Sequence, residues 1–96
     1  MRIFFTQEAK LDLLELLEFY ASFDLKKGRK IRAKLILTTV KLRDFPELGK
    51  KDTYFSRRNK KVCRTLICDN HKIIYHINKE QKVISILRFF DTRQGV

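Results

Sequence analysis

Proline occurs once in this 96-residue sequence and glycine three times, too little of either for a disordered linker or a low-complexity tail. No internal repeat of solenoid or propeller period is present. No apolar run approaches the ~18 residues that a membrane span needs. At the N-terminus only Ile3, Phe4 and Phe5 separate Arg2 from polar Thr6, Gln7 and Glu8, far short of the apolar core of a signal peptide. The length gives one core and no second. These absences predict a single cytoplasmic domain over residues 1–96 with no membrane attachment.

Cysteine is scarce as well. Cys63 and Cys68 lie five apart in a segment that reads as a strand. They therefore face opposite sides and stand roughly 16–17 Å apart if extended, outside disulfide reach. With His71 and His76 they form a C-x4-C-x2-H-x4-H spacing that matches no common zinc arrangement. Free, buried thiols are the expectation, with no metal and no cofactor.

The shortage that matters most is of carboxylates. Eleven Asp and Glu oppose 22 Lys and Arg, a net charge of +11. Residues 1–24 are acidic, with two cations and five carboxylates, whereas residues 25–64 hold fifteen cations against three carboxylates. Such a field attracts polyanions or acidic proteins, and its density exceeds what solubility requires. Aromatic residues are sparse among the cations of 50–64, with only Tyr54 and Phe55 interleaved, which disfavours a dedicated single-strand reader.

Periodicity divides the chain. "RIFFT" at 2–6 reads as a strand that ends at Thr6, itself a helix N-cap with Glu8 in the first turn. Ala9, Leu13, Leu16, Leu17 and Tyr20 follow helical spacing to about Ser22, and Leu11, Leu14 and Phe19 widen the stripe. A helix this apolar is expected to be covered on more than one side. Asp24 caps a second helix from Leu25 to about Arg43, basic in its first half, where Gly28 costs roughly 1 kcal/mol relative to Ala. Pro46 and Gly49 then stop it. Three strands follow, ending "YFSRRNKKVCRTLIC" and spanning "HKIIYHI" and "KVISILRFF", with links short enough for an antiparallel meander. The fold class is α+β, ordered β-α-α-β-β-β, with the helical hairpin across one face of a mainly antiparallel sheet.

Four stretches carry a family likeness: "FPELG" at 45–49, "RRNKKVCR" at 57–64, "HKIIYHI" at 71–77 and "VISILRFFDTRQ" at 83–94. In that order they resemble the RelE/ParE superfamily of type II toxin–antitoxin modules, whose ParE-like branch includes plasmid-stabilisation proteins. The resemblance spans nearly the whole chain. It implies a toxin neutralised by a cognate acidic antitoxin. The ParE-like branch implies growth inhibition by binding DNA gyrase. The RelE-like branch implies ribosome-dependent cleavage of messenger RNA. A third possibility is a non-toxic binding module within a toxin–antitoxin repressor complex.

The chemistry of RNA cleavage separates the first two. Attack by a 2′-OH needs a base, an acid for the leaving oxygen and donors for the phosphorane charge. Donors are plentiful in Arg57, Arg58, Lys60, Lys61, Arg64, Lys72, Arg88 and Arg93, the candidate target- or phosphate-contacting residues. Lys72 stands where the family usually has arginine and loses the bidentate fork. No His or Tyr follows His76, and Asp91 occupies the family's usual His position. The RNase branch's C-terminal Tyr or His has no counterpart in "DTRQGV". The remaining acid/base candidates are Tyr75, expected as a core aromatic, His76 on the sheet surface, and His71 at a turn facing solvent. Arg88 is expected to share the Ile84/Ile86 face, and loss of Arg88 and Arg93 to cost no more than about 0.5 kcal/mol. The leading reading is a binder rather than a nuclease.

Overall fold

A computed structural model describes residues 1–94, so the last two residues of the "DTRQGV" ending, Gly95 and Val96, lie outside the described residues. Strand β1 (Arg2–Phe5) leads into helices α1 (Gln7–Ala21) and α2 (Leu25–Val40), which a 3₁₀ turn extends over Lys41–Arg43. Then come β2 (Lys50–Asp52), α3 (Thr53–Asn59), β3 (Cys63–Cys68), β4 (His71–Asn78) and β5 (Val83–Asp91), with a closing 3₁₀ turn at Thr92–Gln94. The expected α+β order is present. Two further elements, β2 and α3, interrupt the stretch read as an approach to a strand.

The caps lie where sequence places them. Thr6 Oγ1 accepts a hydrogen bond from the Ala9 amide at 3.2 Å, and Asp24 Oδ1 accepts from Lys27 N at 3.1 Å. Each satisfies an amide that a helix start leaves unpaired. Thr6 also donates to Leu87 O at 3.0 Å, tying the start of α1 to β5.

The sheet runs β1-β5-β4-β3-β2. Strands β2 to β5 pair antiparallel, and β1 lies parallel to β5, Arg2 beside Val83 and Phe5 beside Ile86. The two helices provide the long connection that a parallel neighbour requires. They cover one face of the sheet, where Ala9, Leu35, Leu42, Ile73, Tyr75, Ile84, Ile86 and Phe89 form the core.

A bulge changes the expected phase of β5. Tyr75 pairs with Ile86 but Ile74 pairs with Arg88, so Leu87 is the extra residue. An inserted residue reverses the alternation beyond it. Phe89 therefore joins Ile84 and Ile86 in the core and stacks on Phe5 at a centroid distance of 6.2 Å. Arg88 does not share the Ile84/Ile86 face, contrary to uninterrupted alternation.

Gly28 permits the hairpin to close. A Cβ there would lie 2.7 Å from Tyr20 Cβ, closer than carbon atoms approach, so its lower helix propensity is offset by the close approach of α1 and α2. The hairpin's outward side is bare. Leu11, Leu14 and Phe19 of α1 are exposed, as are Leu37 and Val40 of α2. The residues that widen the apolar stripe are thus uncovered rather than packed on a second side.

Candidate functional site

Helix α3 carries much of the basic cluster and lies across the sheet face opposite α1 and α2. Asp52 initiates it: Oδ1 accepts from the Phe55 amide at 3.0 Å and Oδ2 from the Thr65 hydroxyl at 2.6 Å. Burial pushes the Asp52 carboxyl up. The Thr65 hydroxyl, the Phe55 and Tyr54 amides and the Lys72 charge outweigh it and hold the group below the usual carboxylate value. Ser56 Oγ accepts from the Cys63 amide at 2.8 Å, pinning α3 to the start of β3. Phe55 stacks on Phe90 at 5.4 Å with an interplanar angle of 26°. Lys60, in the left-handed region at φ 54°, ends the helix.

This frame brings five of the predicted cations to one side of the sheet and a sixth to its edge. Arg57 and Arg58 end α3, and Lys60 and Lys61 form the turn after it. Lys72 pairs with Phe90 and Ile74 with Arg88, so strand alternation puts Lys72 and Arg88 on the α3 face. The Arg88 head, however, reaches past the end of the β1 pairing and round the open edge of β5 toward α1. Its Nε and Nη2 donate to Asp12 of α1 at 2.8 and 3.0 Å, and its guanidinium lies 4.4 Å from the Phe90 ring centroid. The Asp12 ion pair, ahead of burial in effect, raises its pKa above the ordinary arginine value. Asp12 also accepts the Phe89 amide at 2.9 Å, beyond the end of the β1 pairing.

Arg64 and Arg93 lie elsewhere. Arg64 pairs with Tyr75 on the helix face and donates to Gly49 O at 2.6 Å, clamping the Pro46–Gly49 loop. Arg93 forms a fork on Asp91, Nε to Oδ1 at 3.1 Å and Nη2 to Oδ2 at 3.0 Å. The position where the family likeness calls for histidine is thus the counterion of Arg93, and that contact, despite opposing burial, holds the Asp91 carboxyl below its usual value.

The three acid/base candidates are dispersed. Tyr75 is fully buried; its hydroxyl donates to Pro46 O at 2.7 Å and accepts the Gly49 amide at 2.8 Å. Burial pushes its pKa up. Gly49 is tight against that ring, since a Cβ would come within 2.8 Å of the phenol oxygen and 2.9 Å of Thr65 O. His71 does not face solvent: only 5% exposed, it opens β4 on the helix face, and burial pulls its pKa below the ordinary imidazole value, against the partial opposition of Asp91. His76 alone is on the α3 face, with Nδ1 2.7 Å from Val62 O. His76 and Lys72 are four residues apart on one strand, about 13 Å at strand rise. The thiols are free and buried, Cys63 at the start of β3 beside α3 and Cys68 with its Sγ 3.3 Å from Thr38 Oγ1. Among the described residues no three His, Cys, Asp or Glu side chains gather as a metal site.

The bare side of the helical hairpin forms a groove of about 620 Å³, floored by Leu13, Leu14, Leu17, Ile36 and Leu37, with Lys10 and Arg32 at its margins. A family model described as "ParE toxin of type II toxin-antitoxin system, parDE" matches residues 3–95. This chain belongs to the ParE toxin family. Among solved structures, the ParE-family chain is similar to one titled "Chromosomal ParDE TA system from P. aeruginosa", with a TM-score of 0.76, 19% identity and 95% of each chain covered; at that identity the likeness is one of fold. Comparison with curated proteins gives no match.

Two features of this ParE-family chain are absent from the sequence reading. Asp12 orients Arg88, yet nothing local to "AKLDLLE" marks its partner 76 positions away. The outward groove had a signal, since Leu14 and Leu37 broaden their stripes past what one sheet can cover. No helix among the described residues is long and apolar enough to cross a membrane.

Proposed function

We propose that this ParE-family toxin is a cytoplasmic, single-domain growth inhibitor that binds its target, DNA gyrase, through the basic α3 face, and that a cognate acidic antitoxin silences it. The observation that carries this reading is the separation of charge from proton-transfer chemistry. The α3 face gathers Arg57, Arg58, Lys60, Lys61 and Lys72, while the Tyr75 hydroxyl and His71 are buried on the other side of the sheet. The five cations of α3, its following turn and Lys72 can grip an acidic surface, with Arg88 ion-paired to Asp12 at the edge. Without a convergent acid and base, the 10²–10⁴-fold that such groups supply to cleavage is missing.

The antitoxin's place in the proposal is the hairpin groove. Its leucine and isoleucine floor takes the apolar face of an amphipathic segment, and Lys10 and Arg32 meet acidic residues on that segment's flanks. A segment that orders on binding concentrates its affinity in a few anchors. Association is fast and falls with salt.

The test is induction of the toxin followed by parallel measurement of DNA synthesis, the DNA-damage response and messenger RNA ends. The expected result is stalled replication before translation falls, with transcripts intact by primer extension. Codon-position-specific cleavage of ribosome-bound transcripts would overturn the reading. It would favour the RelE-like alternative, for which His76, beside the basic cluster, is the group to replace. Cells unaffected by induction would leave the non-toxic repressor module.

A further inference from the structure

Within the basic half of α2 only Arg32 enters the function proposed above. Lys27, Lys30 and Lys34 recur at three- and four-residue spacing, which aligns them along one stripe of the helix over about 10 Å at helical rise. All three lysines are solvent-exposed. The stripe forms one wall of a cleft of about 600 Å³ between α2, the β3–β4 turn and the closing 3₁₀ turn. Arg93 contributes a fourth cation from the far side, and Asp69 is the lone carboxylate of the lining. The volume falls in the range of small-molecule sites, about 300–1,000 Å³.

Charge balance shows what the cleft lacks. Lys34 contacts Asp69 at 2.6 Å, and Arg93 has its Asp91 fork. Lys27 and Lys30 have no carboxylate within ion-pair distance among the described residues. Lys27 instead places its ammonium 5.9 Å from the Tyr20 ring centroid, at the edge of the same cleft. A concavity lined by one sign of charge focuses its field inward and concentrates counter-ions.

We propose that this cleft binds consecutive phosphoryl groups, as in an inorganic polyphosphate or the di- or triphosphate of a nucleotide. Three ammonium groups along about 10 Å suit a run of phosphates better than a single one. Lysines act as point charges on phosphate oxygens, and Arg93 supplies a planar fork once drawn from Asp91. The concave form favours a compact ligand over a duplex, whose phosphates lie on a convex surface. Tyr20, with Ile31 and Leu35, offers an apolar end against which a base can rest. The site lies on the helix side of the sheet and is independent of the α3 reading.

The experiment is a low-salt NMR titration of the full-length ¹⁵N-labelled chain with sodium tripolyphosphate and, separately, ATP. The expected result is saturable shifts in the amides of Lys30, Lys34, Asn70 and His71, with those of Arg57 and Arg58 in α3 on the opposite face unmoved. A Lys27→Gln/Lys30→Gln variant should weaken tripolyphosphate binding at least tenfold, and Arg57→Gln/Arg58→Gln should leave it within twofold. Equal affinities for the two ligands identify polyphosphate as sufficient. Tighter binding of ATP, lost in Tyr20→Leu, adds the base. Shifts on both faces, failure to saturate, equal weakening by the two double variants, or preference for a short DNA duplex over tripolyphosphate would each overturn the proposal.

Discussion

Replacement of Asp12 by alanine tests how the closing strand is held. The Asp12 side chain is 11% exposed and accepts three hydrogen bonds, two from Arg88 and one from the Phe89 amide. Its loss leaves that amide unpaired at the strand edge, a cost of about 1–3 kcal/mol. The ion-pair share is smaller because the Arg88 side chain is 41% exposed and its charge is screened. Together these give about 2 kcal/mol for Asp12→Ala. In a domain of this size that lowers the melting temperature by about 8–16 °C. Arg88→Ala should cost about 1–2 kcal/mol, because Asp12 keeps the Phe89 amide but loses its counterion. This exceeds the roughly 0.5 kcal/mol expected of an unpaired surface arginine. Urea unfolding of both single variants and the double variant completes a cycle, with an expected coupling of about 1 kcal/mol. A change below about 0.5 kcal/mol in Asp12→Ala, or strict additivity, would refute the argument.

Tyr75→Phe should destabilise by about 1–3 kcal/mol in urea unfolding, since the Gly49 amide loses its buried acceptor, and Gly49→Ala should be worse for want of space beside Tyr75 and Thr65 O. His71 binds a proton more weakly folded than unfolded, chiefly through burial. Its contribution is therefore complete above the unfolded value near 6.5 and is lost as pH falls below it toward the folded value. Melting curves from pH 7.5 to 5 should show this loss in the native chain and a flatter profile in His71→Gln. In the hairpin groove, Leu14→Glu with Leu37→Glu should leave growth arrest intact and weaken antitoxin capture at least about 100-fold, roughly 2.7 kcal/mol, measured by co-purification and calorimetry.

Period and punctuation made much of this fold legible. Thr6, Asp24 and Pro46 mark boundaries through fixed local chemistry, and "HKIIYHI" and "KVISILRFF" alternate as strands do. What escaped depends on long-range partners. Helix α3 is one short stretch of basic residues with no apolar stripe of its own, held by Phe90 and Cys63 from later strands. The bulge at Leu87 has no marker in the sequence; it is set by Ile73 and Phe89 seeking the same core. His71 was expected in solvent because it borders a turn, but the closing segment, which brings Asp91 opposite it, buries it. The cations were easy to find as residues, and their division among the α3 face, the loop clamp at Gly49 and the α2 cleft required the sheet.

The pairing of β1 with β5 also sets a timetable. Phe5 lies beside Ile86, so the first strand has no neighbour until the last one has been made. At about 5–20 residues per second, that wait during synthesis is about 4–16 s. Until then α1 has no β5 to rest on, Asp12 has no arginine to hold, and Phe90 is not yet there for α3 to stack against. The nascent chain carries the cations of a toxin without the surface that arranges them. The closing strand thus completes the sheet and, with it, the surface that arranges those cations.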